Sequence, residues 1–512
     1  MQTTPAQPDL FSSQSKPYKL EDWQGGNRSL KEEFDYPIED VDGEIPPELN
    51  GTLFRNGPGL LDIFGRPIHH PFDGDGMVCA IAFSNGRAHF RNRFVRTEAF
   101  CKEQQAGRML YRGVFGTEKP GGWLANAFDL RKKNVANTNI IYWGGKLMAL
   151  WEASHPYRLD PHTLETLGIE TLDGVLHKGS PFAAHPMIDP GGEGREPRLV
   201  TFAVKPGLLT TITIYELDLA GKVVRQHNHR IPGFAFIHDF AITPNYCLLF
   251  QSPLSFNPLP YVLGFQGAAE CIKFNDRKPT KIWVIPRDPS SVPLSKGVQV
   301  IETDPCFVFH HANAFEQGEE LIVDSVYYET FPALDHASNY QETDFDSRPP
   351  GQLCRFHLNL KAKTAKRQLI DRRSCEFPFI HPALIGQPHH WVFLAAVHQP
   401  EGDAPKQAIL KINVESGEQE FWSAAPKGFV DEPVFVPRTI PTSYPPPTSP
   451  DRGGMKGGED DGWVLVPVYD ASCDRTDLVI LDGTRINAGP IARLHLKHHI
   501  PYGLHGSFTQ LV

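Results

Sequence analysis

Short apolar segments separated by polar turns recur along most of the chain, and their spacing predicts β-strands. From about residue 140 onward, a segment ends in Leu or an equivalent, an Asp or Asn opens a turn, and a second apolar segment follows. Such a turn residue between two apolar runs is typical of a β-hairpin. The pattern occurs at residues 158–161, 216–221, 358–360, 412–417 and 480–483.

These hairpins recur at intervals that suit four-stranded blades, so the sequence predicts an all-β protein with a β-propeller fold. Extending the intervals to both ends of the chain gives about six to eight blades, and we predict seven. Candidate inner strands, 53, 72, 71 and 51 residues apart, begin near His185, His238, His310, His381 and Glu432.

Two segments do not fit a blade, and we predict that both cover one face of the propeller. Residues 102–123 are mixed in character, whereas residues 252–272 are apolar and poor in charge. The second segment is interpreted either as core or as an exposed patch. An exposed patch would dip into a membrane surface to collect an apolar ligand.

Composition and charge limit the class of protein. Hydrophobic residues make up 40% of the 512 residues and include 33 phenylalanines, enough for a large core. The net charge of −10 argues against a nucleic-acid-binding protein, which presents a basic face. The eight cysteines form no CxxC pair, so we expect reduced thiols rather than a disulfide framework.

The sequence shows neither a secretory signal nor an apolar run near the roughly 18 residues of a membrane span. Residues 1–16 are polar and rich in Gln, Pro and Ser. We therefore predict a disordered tail over residues 1–19 and a single domain over residues 20–512. The expected location is the cytoplasm, and residues 252–272 are the segment expected to contact a membrane.

Four histidines each lie at a polar break beside a predicted strand. This shared position predicts a metal site. Histidines brought together from distant parts of a closed β-architecture can hold a metal on its axis. Neutral imidazole suits Zn, Cu, Fe and Ni about equally, so these residues do not identify the metal. The four segments are Ala184-His185-Pro186, Ile237-His238-Asp239-Phe240, Phe309-His310-His311 and Leu504-His505-Gly506.

Three acids stand at predicted strand ends, where a carboxylate is able to orient a metal-bound histidine. They are Glu152, Glu376 and Glu432. No nucleophile elbow, phosphate-binding glycine loop or dinucleotide fingerprint occurs, which argues against serine-hydrolase and phosphate-cofactor chemistry. A polyhistidine site under an apolar cover suits oxygen chemistry on an apolar substrate. The other eighteen histidines are interpreted as structural, including the tandem pairs His69-His70, His389-His390 and His498-His499.

Several longer motifs are specific enough to indicate a family. They are Arg55-Asn56-Gly57-Pro58, His70-Pro71-Phe72-Asp73-Gly74-Asp75-Gly76-Met77, Phe236-Ile237-His238-Asp239-Phe240, Phe309-His310-His311-Ala312-Asn313-Ala314-Phe315-Glu316, Glu432-Pro433-Val434-Phe435-Val436-Pro437-Arg438 and Pro501-Tyr502-Gly503-Leu504-His505-Gly506. With them the chain resembles the carotenoid cleavage oxygenase family from about Leu20 to its C-terminus. The resemblance implies a seven-bladed propeller with a dome of loops and short helices over the metal site.

The resemblance also implies an activity and its residues. His185, His238, His310 and His505 would bind a catalytic Fe(II), with the three glutamates behind them. The enzyme would be a dioxygenase that cleaves the 15,15' double bond of apocarotenoids with O₂, releasing retinal and a second aldehyde. The substrate is a small apolar polyene, and no protein partner is implied. Positions that match the family's substrate tunnel are Phe72, Phe115, Thr138, Trp151, Phe236, Phe309 and Tyr328.

The sequence leaves other functions open. A member of the same family would cleave another double bond, an intact carotenoid or a stilbene-like substrate, and no motif separates these. A metal-free propeller would serve as a protein-binding platform, and a carotenoid-binding protein would hold the polyene without cleaving it. Ala153-Ser154 stands where relatives often carry Gly-Gly, and Phe508 where they commonly carry Trp. Both departures bear on substrate preference rather than on chemistry.

Overall fold

β-Strands and tight turns make up nearly the whole fold, as the apolar and polar pattern predicts. The computed structural model describes residues 16–192, 194–290, 297–332, 340–438 and 458–512. The predicted all-β class is confirmed. The α-helices of the described residues are all short: α1 (Leu20–Gly25), α2 (Glu98–Ala106), α3 (Gly122–Asn126) and α4 (Pro258–Val262).

The described strands are numbered here in chain order. The first twelve are β1 (Asp35–Ile38), β2 (Val41–Gly43), β3 (Gly51–Leu60), β4 (Asp62–Ile63), β5 (Arg66–Pro67), β6 (Asp75–Ser84), β7 (Arg87–Phe94), β8 (Asn139–Trp143), β9 (Lys146–Leu150), β10 (Tyr157–Leu159), β11 (Thr166–Ile169) and β12 (Met187–Asp189). The next twelve are β13 (Arg198–Lys205), β14 (Leu209–Leu217), β15 (Val223–Pro232), β16 (Ala241–Ile242), β17 (Tyr246–Gln251), β18 (Leu254–Phe256), β19 (Ile272–Phe274), β20 (Thr280–Pro286), β21 (Gln299–Thr303), β22 (Phe307–Gln317), β23 (Glu320–Tyr328) and β24 (Gln352–Asn359). The last are β25 (Thr364–Leu369), β26 (Cys375–Phe379), β27 (Trp391–Ala396), β28 (Ala408–Asn413), β29 (Gln419–Ser423), β30 (Gly428–Val430), β31 (Val434–Pro437), β32 (Gly462–Asp470), β33 (Arg475–Asp482), β34 (Pro490–His495) and β35 (Gly506–Thr509).

The sheets are mostly antiparallel meanders of strands that follow one another in sequence, and their arrangement is propeller-like. Apolar cores lie between adjacent sheets: one core joins β27 and β28 to β32 and β33, for example. Within the described residues, six sheets contain four or more strands. Their orders are β1-β7-β6-β3-β35, β11-β10-β9-β8, β12-β13-β14-β15, β16-β17-β20-β21-β25-β24-β23-β22, β26-β27-β28-β29 and β2-β34-β33-β32-β30, with β31 also paired to β32.

The prediction of seven separate blades does not match this pattern. Eight strands between residues 241 and 369 form one continuous sheet, because β21 and β25 meet in a parallel pairing of Glu302 with Thr364. Backbone pairing between two neighbouring meanders therefore merges them, and the described residues contain six sheets of four or more strands instead of seven.

Pairing between strands from the two ends of the chain closes the propeller-like arrangement. The last strand, β35, pairs with β3, and the early strand β2 pairs with β34. The Thr52 hydroxyl also donates to the carbonyl of Val512 at 2.9 Å. Closure leaves fewer unpaired sheet edges and ties residues more than 450 positions apart. Most of the predicted tail, residues 1–15, lies outside the described residues, while Tyr18 packs against Phe345.

The segment at residues 252–272 consists of β18, α4, the 3₁₀ turn Ala269–Cys271 and β19 rather than a blade. It packs against α3: the Phe128 amide donates to the Val262 carbonyl at 2.7 Å, and the rings of Trp123 and Phe265 lie 5.4 Å apart. No helix of the described residues is both long and apolar enough to cross a bilayer.

Replacing Phe356 in β24 by Ala should destabilise the fold, because its ring is fully buried and packs 5.2 Å from Phe250. We expect a loss of about 3–5 kcal/mol in the free energy of unfolding, measured by chemical denaturation. Leu208→Ala is the control: this leucine is 97% exposed, so its removal should change stability by less than about 0.5 kcal/mol. Equal losses for the two variants would contradict the packing described.

Candidate metal centre

Four histidines from distant parts of the chain meet at one point. One ring nitrogen from each of His185, His238, His310 and His505 lies within 4.8 Å of those of the other three. The Nε2 atoms of His185 and His238 are 3.0 Å apart. No other group of three or more His, Cys, Asp or Glu side chains in the described part of the chain comes this close. The structure thus brings together the histidines that the sequence singles out.

The strands explain why these side chains converge. His505 directly precedes β35, His185 and His238 lie two and three residues before β12 and β16, and His310 lies within β22. Each of these strands stands at one end of its sheet. The pairing of β22 with β23 shifts register on both sides of His311. Such irregularities re-aim side chains. His310 therefore faces the centre, whereas His311 turns to the Ser325 hydroxyl, 2.7 Å away.

Each predicted glutamate contacts one of these histidines. Glu376 accepts from Nδ1 of His310 at 2.5 Å, and Glu432 accepts from Nδ1 of His505 at 2.7 Å. Glu152 is paired with Nδ1 of His238. A carboxylate on Nδ1 fixes the proton there and leaves the Nε2 lone pair facing the centre.

Two of the glutamates are themselves held by further contacts. Glu376 accepts hydrogen bonds from the Tyr328 hydroxyl at 2.7 Å and the Phe377 amide at 2.8 Å. Glu432 accepts from the Arg55 guanidinium at 2.6 Å and the Gly506 amide at 2.8 Å. Glu152 is more open, with 27% of its side chain exposed.

The pKa shifts of two of the four histidines suit metal binding. Burial and the neighbouring histidines hold the pKa of His185 well below its usual value. Burial also lowers the pKa of His505 to about 4, although Glu432 opposes the shift. Burial disfavours the charged form of Glu376, yet its contacts with His310 and Tyr328 outweigh this and lower its pKa. At neutral pH, His185 and His505 therefore offer lone pairs while Glu376 stays ionised.

The arrangement fits a divalent metal ion. Nε2 of His310 is buried and has no hydrogen-bond partner among the described residues. A buried polar atom without a partner is unfavourable, and a cation shared by four imidazoles would satisfy it. Imidazole nitrogen suits Fe, Co, Ni, Cu and Zn, so the donor set fits a transition metal without selecting one.

The predicted tunnel residues form two aromatic groups. In the first, Phe309 lies 5.5 Å from the ring of His238 and 5.7 Å from that of Tyr328. Phe236 joins it through Phe307, at 6.2 Å.

The second aromatic group pairs Phe72 with Phe115, whose ring centroids are 5.1 Å apart. Phe72 also borders a cavity together with Trp151, the residue before Glu152. Thr138 is buried, and its hydroxyl donates to the Asn137 side chain at 3.3 Å.

Two residues that touch this site are not among those predicted from the sequence. Arg55 is buried behind Glu432; its signal was an arginine inside an apolar strand motif. Phe377 packs on His310 and His505 at 5.6 and 5.4 Å, with a backbone φ of 55°. A bulky residue at positive φ is strained and is often found at functional sites. No sequence pattern shows this conformation.

Known proteins similar to this chain identify its family. The family model described as retinal pigment epithelial membrane protein, RPE65, matches residues 27–510. The chain belongs to this family. The resemblance to carotenoid cleavage oxygenases is confirmed, since the RPE65-family relatives include apocarotenoid-15,15'-oxygenase from Synechocystis sp., 49% identical over 98% of this chain and 99% of the relative. Resveratrol cleavage oxygenase 1 from Botryotinia fuckeliana is 31% identical over 91% and 82%.

Solved structures agree with this placement in the RPE65 family. A Synechocystis apocarotenoid oxygenase variant superimposes with a TM-score of 0.91 at 49% identity, covering 97% of this chain and all of the other. A cobalt-substituted form of the Synechocystis protein gives the same TM-score at 48% identity and the same coverage. Like its oxygenase relatives in the RPE65 family, the chain is an oxidoreductase of the dioxygenase class.

Removing one imidazole should empty the centre. His310→Ala deletes an Nε2 donor and leaves Glu376 without its histidine, so we expect the purified protein to lose most of its bound divalent metal. The measurement is metal content by plasma mass spectrometry after loading with Fe(II) or Co(II). His311→Gln is the matched control in the same strand, because His311 contacts Ser325 instead of the cluster.

A milder variant tests how much the orientation of one histidine contributes to metal binding. Glu432→Gln keeps the size of the side chain but loses the charge that orients His505, so metal affinity should fall by about 10- to 100-fold. Full metal content in His310→Ala, or equal losses in His310→Ala and His311→Gln, would contradict the assignment of the centre.

Proposed function

We propose that this protein is an Fe(II)-dependent dioxygenase that cleaves the 15,15' double bond of apocarotenoids, giving retinal and a second aldehyde. The observation that carries the proposal is the four-histidine centre beside aromatic side chains, in a chain 49% identical to an apocarotenoid-15,15'-oxygenase over nearly its whole length. Each carbon of the broken double bond takes one oxygen atom from O₂, so the reaction balances without an external reductant or organic cofactor.

The residues of the centre have separate tasks in this proposal. His185, His238, His310 and His505 hold the iron, which supplies a redox-active site for O₂ when bound. Behind them, Glu152, Glu376 and Glu432 fix the direction of three imidazoles and balance part of the positive charge. The Arg55 guanidinium and the Tyr328 hydroxyl in turn hold Glu432 and Glu376 in place.

Selection of one double bond is a matter of position, since a polyene offers many chemically similar bonds. Aromatic walls bind an extended apolar chain without polar contacts along its length. Holding the chosen bond beside the centre then supplies both rate and selectivity. The side chains proposed to line this passage are Phe72, Phe115, Thr138, Trp151, Phe236, Phe309 and Tyr328.

For the architecture, we propose that the eight-stranded sheet acts as two four-stranded blades, which gives a seven-bladed propeller within one domain over residues 20–512. The support is the weakness of the junction: β21 and β25 share a single residue pair, Glu302 with Thr364. The neighbouring pairing of β23 with β24, by contrast, extends over eight residue pairs.

An exposed apolar surface on α3 and α4 is proposed to contact the membrane in which apolar substrates dissolve. Its members include Leu124, Leu259 and Phe265, which are 71%, 64% and 56% exposed. Apolar side chains exposed together on one surface are unusual in proteins that have no apolar partner. This apolar surface contains part of the predicted segment at residues 252–272.

Aerobic incubation of the Fe(II)-loaded protein with 8'-apo-β-carotenal should yield retinal and a shorter dialdehyde, identified by chromatography and mass spectrometry. His310→Ala should give no product, because the centre then lacks a donor. Another pair of aldehydes would reject the bond, and cleavage of a stilbene such as resveratrol but not of the apocarotenal would reject the substrate class. Bound apocarotenal without O₂ uptake would indicate a carrier.

Charge on the apolar surface should weaken membrane binding. The double variant Leu259→Asp, Phe265→Asp places two carboxylates where apolar side chains would enter the lipid, so we expect at least about tenfold less protein on floated phosphatidylcholine vesicles.

Leu219→Asp is the matched control for membrane binding. Leu219 is 45% exposed and precedes β15, whose other end leads to Phe234, stacked on Phe256 just before α4. It therefore lies at the far end of that strand from the apolar surface. Undiminished vesicle binding by the double variant, or an equal loss in the control, would reject membrane contact at this surface.

A further inference from the structure

His70, interpreted from sequence as structural, lies in the second aromatic group. It precedes the 3₁₀ turn Pro71–Asp73, and its ring centroid is 4.4 Å from that of Phe72 and 5.5 Å from that of Phe115. Burial lowers its pKa to about 3, yet part of the residue remains accessible to solvent. His70 is therefore partly exposed, and its ring lies against two aromatic side chains that are proposed to line the substrate passage.

The hydrogen bonding of His70 determines which nitrogen carries the proton. Its Nδ1 accepts a hydrogen bond from the Phe72 amide at 3.2 Å. A neutral imidazole that accepts at Nδ1 carries its proton on Nε2. No side chain or carbonyl of the described residues accepts a hydrogen bond from this Nε2–H. His70 is therefore a fixed, uncharged donor in an aromatic surrounding.

The neighbours of His70 connect it to the metal centre. Phe72 borders the same cavity as Trp151, and Trp151 is followed by Glu152, the partner of His238. Two other polar groups among the proposed lining are already engaged. The Thr138 hydroxyl donates to Asn137, and the Tyr328 hydroxyl donates to Glu376.

We infer that Nε2–H of His70 donates a hydrogen bond to the oxygen at the polar end of the substrate, an aldehyde or a hydroxyl. This inference rests on the proposed function and deepens it. Apolar sites use a few placed polar groups to fix the orientation of a ligand. A donor at one end of the passage sets how far the polyene enters, and hence which double bond lies beside the centre. A substrate without the oxygen leaves the donor unsatisfied and binds less well.

Two substitutions of His70 test the roles of its two ring nitrogens separately. In His70→Asn, the side-chain oxygen replaces Nδ1 as acceptor for the Phe72 amide and caps the 3₁₀ turn, but the distal donor is lost. In His70→Gln, the longer amide places an N–H near the position of Nε2. Metal content and thermal stability of both variants should match the wild-type enzyme, since neither change touches the histidine cluster.

The test is steady-state kinetics of the iron-loaded enzymes with two substrates in the same detergent. One is 8'-apo-β-carotenal, and the other is its hydrocarbon analogue with a methyl group in place of the aldehyde. For His70→Asn we expect KM for the aldehyde to rise by about three- to tenfold, with kcat within about twofold. KM for the hydrocarbon should not change, and His70→Gln should recover most of the loss.

Several outcomes would overturn the assignment while leaving the proposed function intact. An equal change in KM for both substrates would mean that His70 acts only on the shape of the passage. An aldehyde-specific loss in Trp151→Phe but not in His70→Asn would move the donor to the indole. A third measurement does not depend on folded variants. The Raman carbonyl stretch of apocarotenal bound anaerobically to the wild-type holoenzyme should shift to lower frequency than in hexane, and an unshifted band would reject the hydrogen bond.

Discussion

The bonds between buried imidazoles and the carboxylates behind them are the constraint on which the site depends. Four histidine rings packed together would compete for protons and leave polar nitrogens without partners. Because Glu376 and Glu432 hold Nδ1 of His310 and His505, the Nε2 lone pairs face one point. A metal ion at that point satisfies them together, so metal affinity and the stability of the centre are linked.

The same geometry ties the metal site to closure of the fold. His505 directly precedes β35, the strand that pairs with β3, and Arg55 of β3 contacts the glutamate that orients His505. A break in closure would therefore remove a metal donor as well as a sheet edge. Metal binding, which favours the closed arrangement only, is expected to stabilise the whole fold by mass action.

The side chains around the centre fall into polar groups that bond within the protein and aromatic groups that do not. Polar atoms near the histidines are used within the protein, as the Tyr328 hydroxyl is by Glu376, which leaves aromatic faces for a polyene. His70 differs, since only one of its nitrogens is used. An apolar passage with a donor at His70 fits a substrate that is apolar along its length and polar at its end. The exposed apolar side chains of α3 and α4 suit delivery of such a molecule from lipid.

The β-class, the four histidines beside strands and the three glutamates could be predicted from the amino-acid pattern alone, because strand periodicity and turn residues are local properties of the chain. The choice of His310 over His311 came from the family resemblance and not from a local pattern. The bulges of β22, set by pairing with β23, are the physical reason that His310 faces the centre. Pairing between β21 and β25, the positive φ of Phe377 and the place of Arg55 behind Glu432 were likewise decided only by tertiary structure. Each depends on contacts between residues far apart in the chain, and these form only when the sheets close around the centre.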